Sequence, residues 1–373
     1  MLHSITFSEQ ALELRARARE IADRILRPSA SRNDRERRPN REAFQAAAAA
    51  ELFQILIPRE HGGLEAGSLA LCLVAEELAK GDPAFGVSYA AAAFGALPLL
   101  LGGTEAQRSR WLPALGRGEA LAAFSLSEKH AGSDAGAVTS TAGRIGEVYE
   151  IRGEKKWVTH GGLADLYTVF CVTDPASRTR RLSAFLVDGA SAGLTVAKVE
   201  ETLGIRSVPV AELRFDGVRV PEENLLGGRE GQGYRLAMAV LDRARPFAAA
   251  QAVGAAQGAL DLALVYACRR RQFGAPIARL QMIQKILADL EIKIEAARWL
   301  TYAAAVRADA SCPSARRSAA AAKCFATDVA LEAATDAVQI FGGYGYMEDY
   351  PVAKLFRDAK ILQIYEGTNQ IQR

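Results

Sequence analysis

Apolar residues in this chain keep one spacing at both ends and another in the middle, and that change of period limits what it can fold into. Near the start, Leu14, Ala18, Ile21 and Ile25 follow one another at three or four residues, the repeat of one face of an α-helix. Residues 1–117 stay rich in Ala and Leu. Between 118 and 226 Val, Thr, Tyr and Phe become common, and turn residues recur at short intervals. Segments 147–152, 166–173, 182–188 and 210–220 read as strands. Helical spacing returns from 227 to 373, in long runs over 247–272, 278–310 and 314–341, with Pro246 expected to start or kink the first. The expected fold is α+β and multidomain: an N-terminal helical domain (1–117), a central β-sandwich or barrel domain (118–226) and a C-terminal four-helix bundle (227–373).

Local signals agree with that plan. Thr104 and Gln107 have the spacing of a capping box, in which hydroxyl and amide satisfy free N–H groups at a helix start. Pro58 to Gly63 reads as a loop between helices. Gly228, Gly231 and Gly233 resemble a dinucleotide fingerprint only superficially. Their spacing is wrong and no βαβ unit surrounds them, so a turn leading into a helix is expected. Gly342 and Gly343 follow a long helix, where glycines commonly end one.

Composition narrows the partners. A net charge of +3 is too small to make nucleic acid or an anionic membrane the main partner. No apolar run is read as approaching the roughly 18 residues that span a bilayer, and no targeting segment is read at the start. The five cysteines lie far apart, form no CxxC and, beside four histidines, make no zinc pattern. No metal is expected, and buried free thiols fit a reducing cytoplasm.

Four segments together carry a family resemblance. They are Phe124-Ser-Leu-Ser-Glu-Lys-His-Ala-Gly-Ser-Asp134, Trp157-Val-Thr-His160, Arg270-Arg-Gln-Phe-Gly274 and Gln363-Ile-Tyr-Glu-Gly-Thr-Asn-Gln-Ile-Gln372. In order and spacing the chain resembles the acyl-CoA dehydrogenases. The resemblance implies FAD as cofactor and an acyl thioester as substrate. A carboxylate removes the α-proton while the β-carbon gives hydride to flavin N5. The product is a 2,3-enoyl thioester, and electrons leave through an electron-transfer flavoprotein.

Carried over residue by residue, the resemblance makes Glu366 the base, as in the short- and medium-chain branches. Another branch places its base near position 244, which is Ala244 here. Arg245, Tyr365 and Gly367 fall on the substrate side. Phe124, Leu126, Ser127, Trp157 and Thr159 match the flavin-ring contacts, and Ser133 matches a diphosphate contact. Arg270, Phe273 and Gln281 match groups around diphosphate and adenine. Gln339, Gly342 and Gly343 match groups that reach a neighbouring subunit's FAD, which implies a homo-oligomer, usually a tetramer. Thr368 matches a residue near the cofactor phosphates. Lys129-His130 stand where Pro-Gly is common and His160 where Asn is common; both histidines are expected to be polar loop residues.

A close alternative changes the substrate carrier: dehydrogenation of acyl groups on a carrier protein in a biosynthetic pathway. A second class is a flavin oxidase or monooxygenase on the same scaffold. The intact motif around Glu366 disfavours the oxidase. A non-enzymatic helical scaffold is the third class, and it predicts no bound flavin. Residues 86–97 match the helix lining the family's acyl pocket. Its alanines leave room that Tyr89 and Phe94 could fill.

Overall fold

A computed structural model describes residues 5–373. Helix α1 (Glu9–Ile21) begins where the Ser8 hydroxyl accepts the Ala11 N–H, and it runs through a π-turn (Ala22–Leu26) into α2 (Arg27–Glu36). Helices α3 (Arg41–Ala49), α4 (Gly67–Gly81), α5 (Pro83–Gly102) and α6 (Glu105–Gly116) complete the first layer. The capping box at α6 forms as expected: Thr104 N–H donates to Gln107 Oε1 at 3.0 Å, and Gln107 N–H to Thr104 Oγ1 at 3.3 Å.

The middle of the chain forms one curled seven-stranded sheet. Its strands are β1 (Ala122–Ser125), β2 (Thr141–Ile145), β3 (Val148–Thr159), β4 (Leu166–Val172), β5 (Leu182–Asp188), β6 (Leu194–Val199) and β7 (Val210–Pro221). The order is β1-β4-β2-β3-β7-β6, with β5 also paired to β4. Strand β4 makes the curl: β1 runs parallel to it, β5 antiparallel, and β2 meets only its last residue, Thr141 opposite Val172.

The third layer holds α7 (Gly233–Arg269), α8 (Gln281–Asp309), α9 (Ala315–Phe341), α10 (Pro351–Leu362) and the short α11 (Asn369–Gln372). A small hairpin of β8 (Arg271–Gln272) and β9 (Ala275–Pro276) follows α7. Pro246 neither starts nor ends α7. It lies inside a 37-residue helix and is buried. A proline there forfeits one backbone hydrogen bond, and a helix held along its length by α4, α8 and α9 tolerates the loss.

Two helices correct the reading of hydropathy. By length and composition alone α5 and α7 could each cross a membrane, yet 72% of the apolar window of each is buried inside the fold. Both are core helices. Helix α5 lies so close on β1 that a Cβ at Gly95 would sit 2.5 Å from Ala122, and α7 packs on β4 and β5. These contacts bring the helical layers onto the sheet where the candidate site residues gather.

One buried charge cluster ties the layers together. Lys354 on α10 donates to Asp82, which also accepts the first free N–H of α5, and to Asp358; Asp358 accepts the Ile205 N–H. Burial pushes the Asp358 carboxyl upward, and the Lys354 charge opposes that.

Candidate active site

The sheet presents its candidate residues through a defect in pairing. Strands β3 and β7 shift register once between Ile151 and Arg152, pair on to Lys155 opposite Leu213, and resume at Val158 opposite Ala211. The extra residue in β3 is a β-bulge, which re-aims side chains. Trp157 sits in it with φ +55° and is 53% exposed. A large aromatic held out to solvent in the left-handed region is costly for any non-glycine residue, and such strain gathers at functional sites. Alongside, Ser127 accepts the Lys156 N–H at 2.9 Å, so the Leu126–Ser127 segment runs beside Trp157. Thr159 closes the strand, half-buried. Phe124 packs against Phe170, ring centres 4.9 Å apart.

Beneath this face lies a buried ion pair absent from the sequence reading. Lys155 is fully buried and donates to Glu128 Oε1 at 2.8 Å and to the Leu126 carbonyl at 3.1 Å. Its signal was available: Lys155 continues the inward alternation of Tyr149 and Ile151, where a lysine needs a partner.

The chain end builds the second group. Glu366 lies between α10 and α11 with φ +54°, followed by Gly367 at +89°. Two successive left-handed residues turn the chain sharply, and only the second is a glycine. Gln372 Nε2 donates to both their carbonyls, at 3.1 and 3.0 Å, and the Thr368 hydroxyl caps α11. Tyr365 donates its hydroxyl to Gln251 Oε1 on α7 at 2.6 Å. Burial pushes the Glu366 carboxyl up to about 7, while the charges of Lys323 and Arg245 limit the rise. Arg245 is not at a helix start. It is buried within α7, its Nη1 paired with Asp242 at 2.5 Å.

A third group forms around the end of α7. Arg270, Gly342 and Gly343 line a cavity of about 540 Å³ with Tyr266, Gln272 and Tyr344, and the Arg270 guanidinium lies 5.2 Å from the Tyr344 ring centre. Phe273, Gln281 and Gln339 are not among its lining residues. All three are exposed, Phe273 at 92% on the tip of the β8–β9 hairpin with φ +53°. Ser133 is exposed on the loop after β1, as are Lys129 and His130.

His160 departs from its expectation. It is buried rather than in a polar loop, hydrogen-bonded through Nε2 to the Ser88 hydroxyl at 2.8 Å, and burial pushes it down to about 4. It is a neutral core imidazole. With Ala92, Ala93 and Ala96 of α5 it lines a cavity of about 300 Å³ between α3, α5 and the start of β1. Tyr89 and Phe94 do not fill this space: the Tyr89 hydroxyl donates to the Leu52 carbonyl, and Phe94 stacks on Phe247.

These surroundings suit FAD. A Cβ placed on Gly342 or Gly343 would meet nothing within 4 Å, so backbone there is open to a ligand beside a half-buried arginine and aromatic rings. An arginine fork and stacked rings match diphosphate and adenine, and the exposed Trp157 offers an apolar face to a flat ring system.

Helices, curled sheet and helices in this order, over a site that suits FAD, are the plan of a flavoprotein oxidoreductase. Sequence profiles of the acyl-CoA dehydrogenase N-terminal, middle and C-terminal domains match residues 8–119, 123–218 and 231–373. The chain belongs to the acyl-CoA dehydrogenase family, whose members are FAD-dependent. It is 45% identical over 365 residues to a probable acyl-CoA dehydrogenase of Mycobacterium leprae (strain TN), covering 98% of this chain and 94% of that one. The solved butyryl-CoA dehydrogenase of Megasphaera elsdenii superposes with a TM-score of 0.96 at 38% identity, over 99% of this chain and 97% of that one. A chain solved in work on the electron transferring flavoprotein of Acidaminococcus fermentans superposes with a TM-score of 0.97 at 40% identity, over 100% and 97%.

Proposed function

We propose that Glu366 is the base of an FAD-dependent α,β-dehydrogenation of acyl-CoA. The observation that carries this reading is the Glu366 carboxyl on a turn held in two consecutive left-handed residues, where burial raises its proton affinity and the charges of Lys323 and Arg245 limit the rise. The α-carbon–hydrogen bond breaks towards the Glu366 carboxylate, which takes the proton, and the electron pair moves towards the thioester oxygen. The Glu366 N–H donates to no other described residue, which leaves it free to hold that oxygen. FAD, when bound, supplies the acceptor for the hydride from the β-carbon.

Arg245, Tyr365 and Gly367 flank the thioester in this reading. Phe124, Leu126, Ser127, Trp157 and Thr159 hold the flavin ring. Ser133, Arg270, Phe273, Gln281 and Thr368 hold the rest of the cofactor. The exposed Gln339 and the open backbone at Gly342 and Gly343 suit a partner subunit's cofactor, so the working form is a homo-oligomer, a tetramer by resemblance. The three segments 1–117, 118–226 and 227–373 act as its domains. Electron-transfer flavoprotein is the acceptor, supported by the likeness to the Acidaminococcus chain. The site of action is the cytoplasm, and small alanines along α5 suit a short or medium acyl chain.

Anaerobic mixing with straight, branched and dicarboxylic acyl-CoAs, and with carrier-bound acyl groups, tests the reading. A matching acyl-CoA bleaches the oxidised flavin band. A base with its proton affinity near 7 must be unprotonated to act, so the bleaching rate rises with pH through about 7. Bleaching by carrier-bound groups alone would move the function to the carrier-protein alternative.

A further inference from the structure

Lys323 lies in the interior of α9 with no exposed surface. It stands in a stripe of buried alanines, Ala319, Ala322, Ala326 and Ala330, where a charge is the most expensive residue to place. Buried lysines are normally paired with a carboxylate. Among the described residues none lies within ion-pair distance of this one. Its ammonium donates instead to the Gly367 carbonyl at 2.8 Å and to Asn369 Oδ1 at 3.0 Å.

Asn369 is fixed from its other end. Its amide nitrogen donates to Thr327 Oγ1 at 2.9 Å and Asp328 Oδ1 at 2.7 Å, which turns its oxygen to the ammonium. The lysine therefore grips the residue after Glu366 and the first residue of α11 together. A neutral donor could satisfy both acceptors at far lower cost. What a neutral donor could not supply is positive charge beside Glu366.

We propose that Lys323 is the positioning residue for the base: it ties the turn carrying Glu366 to α9 and supplies the buried positive charge against which the carboxylate ionises. This rests on Glu366 being the base. Helix α7 presents Arg245, already paired with Asp242, to the same carboxyl, and Tyr365 adjoins it; on α9 Cys324 and Asp328 bear on Lys323 itself, Asp328 also pairing with Arg373. Of these three cations Lys323 is the one with no ion-pair partner among the described residues. Consistently, its own proton affinity is pulled down to about 8 by burial, with Glu366 as the strongest opposing influence.

The test uses the flavin-loaded protein and the pH dependence of anaerobic bleaching by its best acyl-CoA. Lys323→Gln keeps a donor for Gly367 and removes the charge. Its rising limb should move to higher pH by about one unit or more, the usual effect of losing a close opposite charge. Lys323→Arg, which keeps the charge, should return the limb towards its original position even if the rate is lower. Should Lys323→Gln fail to fold, Lys323→Met carries the same expectation, and Lys323→Arg with a limb displaced by a unit would overturn the proposal. A Lys323→Gln limb coincident with the parent's also overturns it, because a purely structural lysine gives that result. Glu366→Gln run in parallel separates the two readings. If it bleaches normally the base itself is misassigned; if it does not, an unmoved Lys323→Gln limb counts against Lys323 alone.

Discussion

Glu366→Gln is expected to bind FAD and fold as the parent does, yet lose reduction by substrate about 10²–10⁴-fold, the range that a positioned base contributes. The substitution keeps size and shape on a turn whose geometry comes from backbone: two left-handed residues, a Gln372 bridge and a Thr368 cap. The amide has no affinity for a proton at working pH. It also relieves a buried charge, so thermal stability should hold or rise above pH 7. Flavin absorbance after gel filtration checks the first half, and anaerobic stopped-flow mixing checks the second. Normal bleaching would place the proton acceptor elsewhere.

Lys155→Met should cost about 3–5 kcal/mol of stability, the usual penalty for leaving one partner of a buried pair uncompensated. Glu128 keeps four other donors: Thr139 N–H and Oγ1, and Ser140 N–H and Oγ, at 2.6–3.0 Å. Those donors hold a carboxylate in place but cannot neutralise it. Burial raises the Glu128 carboxyl, and the Lys155 charge with the Ser140 and Thr139 hydrogen bonds outweighs it, leaving about 2. A folded value below the ordinary 4.5 means stability that is present above 4.5 and lost as pH falls through about 2. The variant should lack much of that acid-side dependence. It should also hold flavin less well, since Lys155 supports the Leu126 carbonyl beside Trp157. Denaturant unfolding at pH 7 and in acid measures both. A variant within about 0.5 kcal/mol of the parent would show that the pair carries little.

What the sequence made legible followed from how strongly each segment repeats. Strands β4, β5 and β7 announce themselves through Val, Phe and Leu facing a core. Strand β1 is Ala-Ala-Phe-Ser, with no β-branched residue, and β6 is almost wholly exposed, so neither carries an alternation to read. Strand β2 is short and holds Gly143. The first turns of α7 were hidden by Pro246, whose missing N–H is a strong local signal that packing overrides. Glu366 and Trp157 stood out because whole motifs surround them. Their physical setting did not: left-handed φ in both, the bulge in β3, and the cations facing the carboxyl arise from contacts between residues far apart in sequence. Lys323 lies on α9, far along the chain from the turn that carries Glu366, and periodicity shows only that it faces inward. His160 went astray for the same reason, since its loop position says nothing of Ser88 and Phe44 closing over it.

The most direct test separates proton removal from hydride transfer. An acyl-CoA with sulfur in place of the β-methylene has no β-hydrogen to give, yet keeps acidic α-hydrogens. In deuterated buffer the flavin-loaded protein should exchange those α-hydrogens for deuterium, and Glu366→Gln should reduce the exchange to the rate in buffer alone. Exchange at the parent rate in Glu366→Gln would contradict the account.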